Sequence, residues 1–278
     1  MTTPARVVVR PLETPEEMRT GVALYRRVLR LAATDPAVSP RLLWALRRNG
    51  GSVMGAFAGE QLIGFAYGFL GKDPESGELY HYSQAAVVDD DWQGRGVGRA
   101  LKLGQRDYVL ATTGITRMRW SYDPVRAANG HFNLDVLGAR GRWFVRNLYG
   151  VDDMGRDIGH PSDRLIVEWD LAGEPSPAAT GRVPSRTPGW GETTVEGDDL
   201  FIGVPRVWSS VAGDHERALA VRAAVSAAFE EAIAARYVAV SCRVADESSA
   251  WYHLRRTSTD AQPSADAGSG ASTGTTRP

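Results

Sequence analysis

The sequence holds a single cysteine, Cys242, in 278 residues. That excludes an intramolecular disulfide and points to a reducing, cytoplasmic setting. Cys242 has no partner pattern near it and reads as an inert packing residue. A charge excess of one sign is lacking too. Lys and Arg total 32 against 33 Asp and Glu, a formal net charge of -1. Nothing global would hold nucleic acid or an anionic membrane, so neither partner is expected. Long apolar runs are missing as well. Leu62–Leu70 falls far short of the roughly 20 residues of a membrane span. Met1–Arg10 lacks the charged-then-apolar shape of a signal peptide. The five histidines, His81, His131, His160, His215 and His253, show no ligand spacing, and no metal is expected. No Gly-x-Ser-x-Gly elbow occurs, which argues against a serine hydrolase.

What is present alternates between strand and helix patterns. Val7–Arg10 is a β-branched first strand. Thr14-Pro15-Glu16-Glu17 is a capping box, with Glu17 placed to reach the Thr14 amide. Met18, Val22, Tyr25 and Leu29 follow at helical spacing. Ser39-Pro40 starts a second helix with Leu42, Leu43 and Leu46 on its apolar face, and Gly50-Gly51 ends it. Ser52–Phe57 and Leu62–Leu70 form a hairpin. In its second strand Ile63, Phe65, Tyr67 and Phe69 point one way, and Gly64, Ala66 and Gly68 the other. Leu79–Val88 is a long strand, Val97–Thr113 a helix, Thr116–Tyr122 a strand and Val125–Leu137 a helix. Gly141–Val145 and Leu165–Asp170 complete seven strands. Pro, Gly, Ser and Ala dominate Ala172–Pro188, which reads as a linker. Beyond it come strand Leu200–Val204, helix Asp214–Ala234 and strands Tyr237–Val244 and Ala250–Leu254. Thr257–Pro278 has almost nothing to bury and reads as disordered. The expected division is a catalytic domain at 1–171, a linker at 172–190, a strand–helix–strand extension at 191–256 and a tail at 257–278.

Chemistry concentrates in Gln93-Gly94-Arg95-Gly96-Val97-Gly98-Arg99, where a strand enters a glycine-rich turn that opens a helix. The first turn of a helix has unpaired N–H groups and the positive end of the macrodipole. Glycines let backbone wrap an oxyanion, and Arg95 and Arg99 add charge at the rim. A pyrophosphate fits such a cradle. No Gly-Lys-Ser/Thr follows, so this is not a Walker A loop. The alternate glycine spacing differs from the dinucleotide fingerprint, and no acidic residue ends a strand some 20 residues on. A plain strand-to-helix turn is the bland alternative.

Gln93-Gly94-Arg95-Gly96-Val97-Gly98, placed after a strand and an acidic-aromatic turn, resembles the acetyl-CoA signature of the GNAT superfamily. The element order over Val7–Leu171 resembles that family too. Asp123–Gly150 and Asp163–Trp169 look like a bacterial subgroup of predicted acetyltransferases with a C-terminal extension. The resemblance implies an α/β (α+β) fold with a central, mixed and twisted sheet. It implies an N-acyltransferase moving an acetyl or other short acyl group from acyl-CoA to a primary amine. A small-molecule acceptor such as an amino acid is the expectation; a protein acceptor and a non-catalytic CoA-binding domain stay open. Backbone of Ala86, Val87 and Val88 would pair with pantetheine. Amides of Gln93–Arg99, Val97 and Gly98 included, would hold the pyrophosphate, and Asn129 would assist. Glu78 and His81 stand where a base is often recruited, though a solvated charge and a packing side chain are the plainer readings. Counting back from Gly138, Leu134 occupies the place of the family's common tyrosine acid. His131 and Asn133 on the same helix are the remaining candidates. A homodimer is compatible with the family.

Overall fold

The computed structural model describes residues 6–152, 158–173 and 182–257. Eleven strands form one sheet in the order β1-β2-β3-β4-β5-β7-β6-β10-β11-β9-β8. They are β1 (Val7–Pro11), β2 (Ser52–Ala58), β3 (Gln61–Lys72), β4 (Leu79–Val88), β5 (Arg117–Tyr122), β6 (Arg140–Val145), β7 (Arg164–Asp170), β8 (Thr193–Glu196), β9 (Asp199–Pro205), β10 (Tyr237–Val244) and β11 (Ser249–Arg256). All paired neighbours run antiparallel except β4 and β5. Helices α1 (Pro15–Leu29) and α2 (Pro40–Arg48) cover one face of β2–β4, and α3 (Val97–Thr113) covers the other.

Local sequence explains the ends. Thr14 caps α1 by accepting from the Glu17 amide at 3.1 Å. The reciprocal half of the expected capping box is not made. The Glu17 carboxylate instead accepts from the Glu13 amide at 2.6 Å and pairs with Arg10 at 2.5 Å. Leu42, placed on the apolar face of α2 by its spacing, is exposed, and Leu43 alone in α2 is fully buried. In β3 the small residues do admit a helix. A Cβ on Gly64 would meet Val97 at 3.4 Å and Leu101 at 3.5 Å of α3. Ile63 departs from the alternation, because a bulge between Ala56 and Phe57 of β2 leaves it unpaired. Ile63 therefore packs with Val97 and Leu101, while Phe65 and Tyr67 pack under α1.

The C-terminal portion continues the same sheet. β10 joins β6 through the pair Ala239 and Gly141, and β11, β9 and β8 follow outward. Short α5 (Ser209–Ala212) and long α6 (His215–Ala234) accompany it, with α6 packing on β6, β9 and β10. On α6, Val225 and Phe229 are fully buried, and Val221 and Ile233 pack partly against the core. Phe229 stacks on Phe144 of β6 at 5.9 Å and meets Tyr252 of β11 edge-on at 5.0 Å. Strand β8 and α5 were not anticipated from sequence. Residues 174–181 of the expected linker, and the tail beyond Thr257, lie outside the described residues.

Candidate functional site

The glycine loop has the geometry of an anion cradle. Asp89 closes the end of β4 by accepting from the Asp91 amide at 3.2 Å, and a 3-10 turn at Asp90–Trp92 follows. Gln93 folds back, its amide donating to the Val88 carbonyl at 3.1 Å and to Asp90 Oδ1 at 2.8 Å. Gly94 and Gly96 then take φ of 71° and 79°, a region in which a Cβ is strained. No atom lies within 4 Å of where either Cβ would stand. Gly96 is the N-cap of α3, no side chain caps the helix, and its first turn holds no acid. The early amides of α3 thus remain available to an anion. Arg95 and Arg99 are exposed, with the Arg95 guanidinium 5.4 Å from the centre of the Trp92 ring.

Next to the cradle the sheet forks. β4 and β5 share only the pairs His81–Met118 and Tyr82–Arg119. Beyond them β4 stays bonded to β3 as far as Val88, and β5 to β7 as far as Tyr122. The β5-facing backbone edge of Ala86–Val88 therefore has no strand partner. Ala86 lies in mid-sheet yet is exposed, Val88 is half-buried and Val87 is buried under α1. A bulge at the start of the fork, where Tyr67 pairs with Ala85 but Gly68 with Ser83, leaves Gln84 unpaired. An extended chain could occupy this edge as one more strand.

The far wall is shorter than the sequence pattern implied, and part of it is wound differently. Instead of one helix over Val125–Leu137, α4 (Ala127–His131) passes into a π turn at Phe132–Val136. The wider turn breaks the i, i+4 relation between Asn129 and Asn133. Asn129 is exposed, whereas Asn133 is buried and accepts from Trp120 Nε1 at 3.0 Å. Leu134 is wholly buried. His131 Nδ1 turns toward β10, 3.1 Å from the Cys242 carbonyl and 3.3 Å from Asp135 Oδ2. Asp135 in turn accepts from Ser241 Oγ at 2.6 Å and the Cys242 amide at 2.8 Å. Asp123, before α4, pairs with buried Arg222 of α6 at 2.8 Å. The extension thus grips both ends of the wall. Cys242 is buried, which pushes its thiol far above the ordinary range and suits packing.

The two base candidates lie away from the fork. Glu78 is exposed in the loop before β4. Six residues separate it from Gln84, about 20 Å of strand. His81 is fully buried on the α3 face, its Nε2 2.9 Å from Ser52 Oγ. Burial, and then the nearby Lys102, hold it down to about 4, so it is neutral at neutral pH. The expectation that His81 reaches an acceptor is corrected by this burial. Alternation explains it, for Tyr82 rather than His81 takes the acceptor face. Tyr82 Oη lies 3.3 Å from both Ser121 Oγ and Tyr149 Oη, and those two lie 3.2 Å apart. Sequence reasoning missed this hydroxyl trio. The bulge at Gln84 reverses the alternation along β4 and so hid Tyr82, and the loop residue Tyr149 left no signal either.

Two helices on one face, α3 on the other, and a parallel β4–β5 pair that parts beside a glycine loop make up the GNAT fold that the sequence resembles. No protein-family model matches the sequence, and neither does any curated protein. Among solved structures, the chain is similar to yncA of Salmonella typhimurium with its cofactor acetyl-CoA, at 18% identity over 62% of this chain and 98% of that one, TM-score 0.49. It is similar to the ribosomal-protein-alanine N-acetyltransferase of Brucella melitensis at 16% identity, over 59% and 99%, TM-score 0.48. An acetyltransferase of the GNAT family from Streptococcus pneumoniae shares 14%, over 59% and 98%, TM-score 0.46. Among the described residues no helix is long and apolar enough to cross a membrane, and no metal-ligand cluster occurs.

Proposed function

We propose that the chain is an acyl-CoA-dependent N-acyltransferase moving an acetyl or other short acyl group to a primary amine in a ternary complex. One observation carries the reading: a mid-sheet strand parts from its parallel neighbour next to a glycine-built, uncapped helix start. The free edge of Ala86–Val88 pairs with the pantetheine amides. Backbone of Gln93–Arg99 takes the pyrophosphate, with Arg95 and Arg99 at its rim, and exposed Asn129 reaches in from α4. A backbone N–H by the bulge polarises the thioester carbonyl. The hydroxyls of Tyr82, Ser121 and Tyr149 orient the amine, which attacks the carbonyl carbon as the free base. No carboxylate hydrogen-bonds to that trio among the described residues, and His81 is out of reach. The acceptor is a small amine such as an amino acid.

Gly96→Val tests the cradle. A β-branched residue at φ of 79° deforms the loop, yet nothing lies nearby for it to unpack. The folded variant should lose CoA binding in titration calorimetry; undiminished affinity would refute the assignment. Thiol release from acetyl-CoA over a panel of amines and peptides tests the reaction. Turnover of peptides alone would replace the small acceptor by a protein. CoA binding without turnover would make the chain a binding domain.

A further inference from the structure

On the α3 side of the fork lies a buried amine that the proposed chemistry leaves unused. Lys102 points into the core with 3% exposure. Its Nζ lies 3.0 Å from Ser83 Oγ, 3.5 Å from Gln105 Oε1 and 3.6 Å from Met118 Sδ. The Trp120 ring centre is 3.6 Å away. From there hydrogen bonds run one way. Ser83 Oγ donates to Gln105 Oε1 at 2.9 Å, and Gln105 Nε2 donates to Ser52 Oγ at 2.9 Å. Ser52 Oγ lies 2.9 Å from Nε2 of neutral His81. The groups around the amine are Ser52 of β2, His81 and Ser83 of β4, Met118 and Trp120 of β5, and Gln105 of α3 itself. His81 is the ionisable group among them. Burial alone lowers the Lys102 amine to about 7, with no carboxylate acting on it.

Buried charges normally have a counter-ion. This one has dipoles and a ring, and its position says what the counter-ion is. Ser83 is the last β4 residue before the bulge, and Met118 is one of the two β5 residues paired with β4. The amine therefore underlies the fork, where the thioester would lie. Its Cα also lies six residues along α3 from Gly96, about 9 Å of helix rise.

We propose that Lys102 takes up a proton when acyl-CoA binds, and that the resulting cation supports the thiolate leaving at the fork. The inference rests on the CoA reading above. A pyrophosphate at the start of the same helix, acting partly through protein, favours the charged amine at intermediate effective dielectric. The proton comes from solvent on binding and returns to it when CoA leaves. In the transfer the amine nitrogen bonds to the carbonyl carbon and the C–S bond breaks. Sulfur keeps the electron pair, and the acceptor's proton goes to sulfur or solvent. Lys102 bonds to no carbon and acts as a positioning residue through its charge.

Calorimetric titration of the full chain with CoA at pH 8, in two buffers of different ionisation enthalpy, gives the protons taken up. At pH 8 the phosphates of CoA no longer titrate. Wild type should take up on the order of half a proton, if binding moves the amine from mostly neutral to half charged. Lys102→Met should abolish the uptake and weaken CoA binding roughly tenfold. An apolar side chain of similar length in place of a buried ion is tolerated, so its Tm should equal or exceed that of wild type. Turnover should fall about tenfold. Zero uptake by wild type across pH 7–8.5 would overturn the inference without any variant. So would equal uptake by Lys102→Met. No CoA heat in wild type would overturn the CoA reading and this inference with it.

Discussion

Gly130 of α4 faces the ring of Tyr252 in β11, and replacing it with alanine sets two effects of opposite sign against each other. Inside a helix, alanine is ordinarily more stable than glycine by about 1 kcal/mol. Here the added Cβ would stand 2.3 Å from Tyr252 Oη, 2.6 Å from its Cζ and 2.8 Å from its Cε1. Tyr252 is wholly buried and its ring is held edge-on by Phe229, so it has nowhere to swing. Overpacking costs about 1–3 kcal/mol, and contacts this short belong at the upper end. The expected net loss is about 2 kcal/mol, or roughly 4–8 °C in Tm for a domain of this size. Urea denaturation would measure it, with Ala128→Gly, on the exposed side of the same helix, as a control that should lose about 1 kcal/mol. Combining Gly130→Ala with Tyr252→Leu should recover at least about 1 kcal/mol relative to the sum of the single changes. Because α4 walls the cleft, CoA affinity should fall with the single change. A Gly130→Ala protein as stable as wild type would refute the claim that the extension fixes α4.

Two further outcomes follow from buried groups. His81 has its folded value depressed to about 4, so between roughly pH 6.5 and 4 the unfolded chain binds a proton that the native chain does not. Stability should fall as pH drops through that window, by up to about 3 kcal/mol, and His81→Gln should flatten the slope; an unchanged slope in urea titrations would show that His81 charges freely. Asn133→Ala should cost about 1–3 kcal/mol by orphaning Trp120 Nε1, whereas His131→Ala should slow turnover no more than roughly 10- to 100-fold; a loss of about 10⁴-fold with CoA binding intact would identify His131 as an acid after all.

Helix and strand periods carried most of the fold, and the glycine loop carried the proposed CoA site, because each is a local pattern. What escaped depends on register. One unpaired residue at Ile63 and one at Gln84 reverse which face the following side chains take, and nothing in the hydrophobic alternation marks either position. Hence His81 and Tyr82 could not be told apart from sequence, although only one of them faces the hydroxyl trio. The π turn after His131 hid in the same way, and it separates Asn133 from Asn129. Lys102 carries no mark in the sequence that it is buried. Its burial follows from a turn of α3 facing β4 and β5, which no single-helix pattern reveals. Tyr149 joined the trio only through the path of the loop after β6.

The pairing of β6 with β10 also has a consequence for synthesis. β6 ends at Val145, and the strand that covers its outer edge begins at Tyr237. A ribosome adding about 5–20 residues per second needs roughly 5–20 s to make the intervening stretch. During that time a six-residue strand with Trp143 and Phe144 has an open row of backbone donors and acceptors. In the finished protein the open rims are β1, five residues ending in Pro11, and β8, four residues ending in Glu196. Both are short, and Pro11 leaves β1 one donor fewer with which to recruit another chain. The nascent chain is therefore most vulnerable to self-association after its glycine loop has been translated and before its last two strands have.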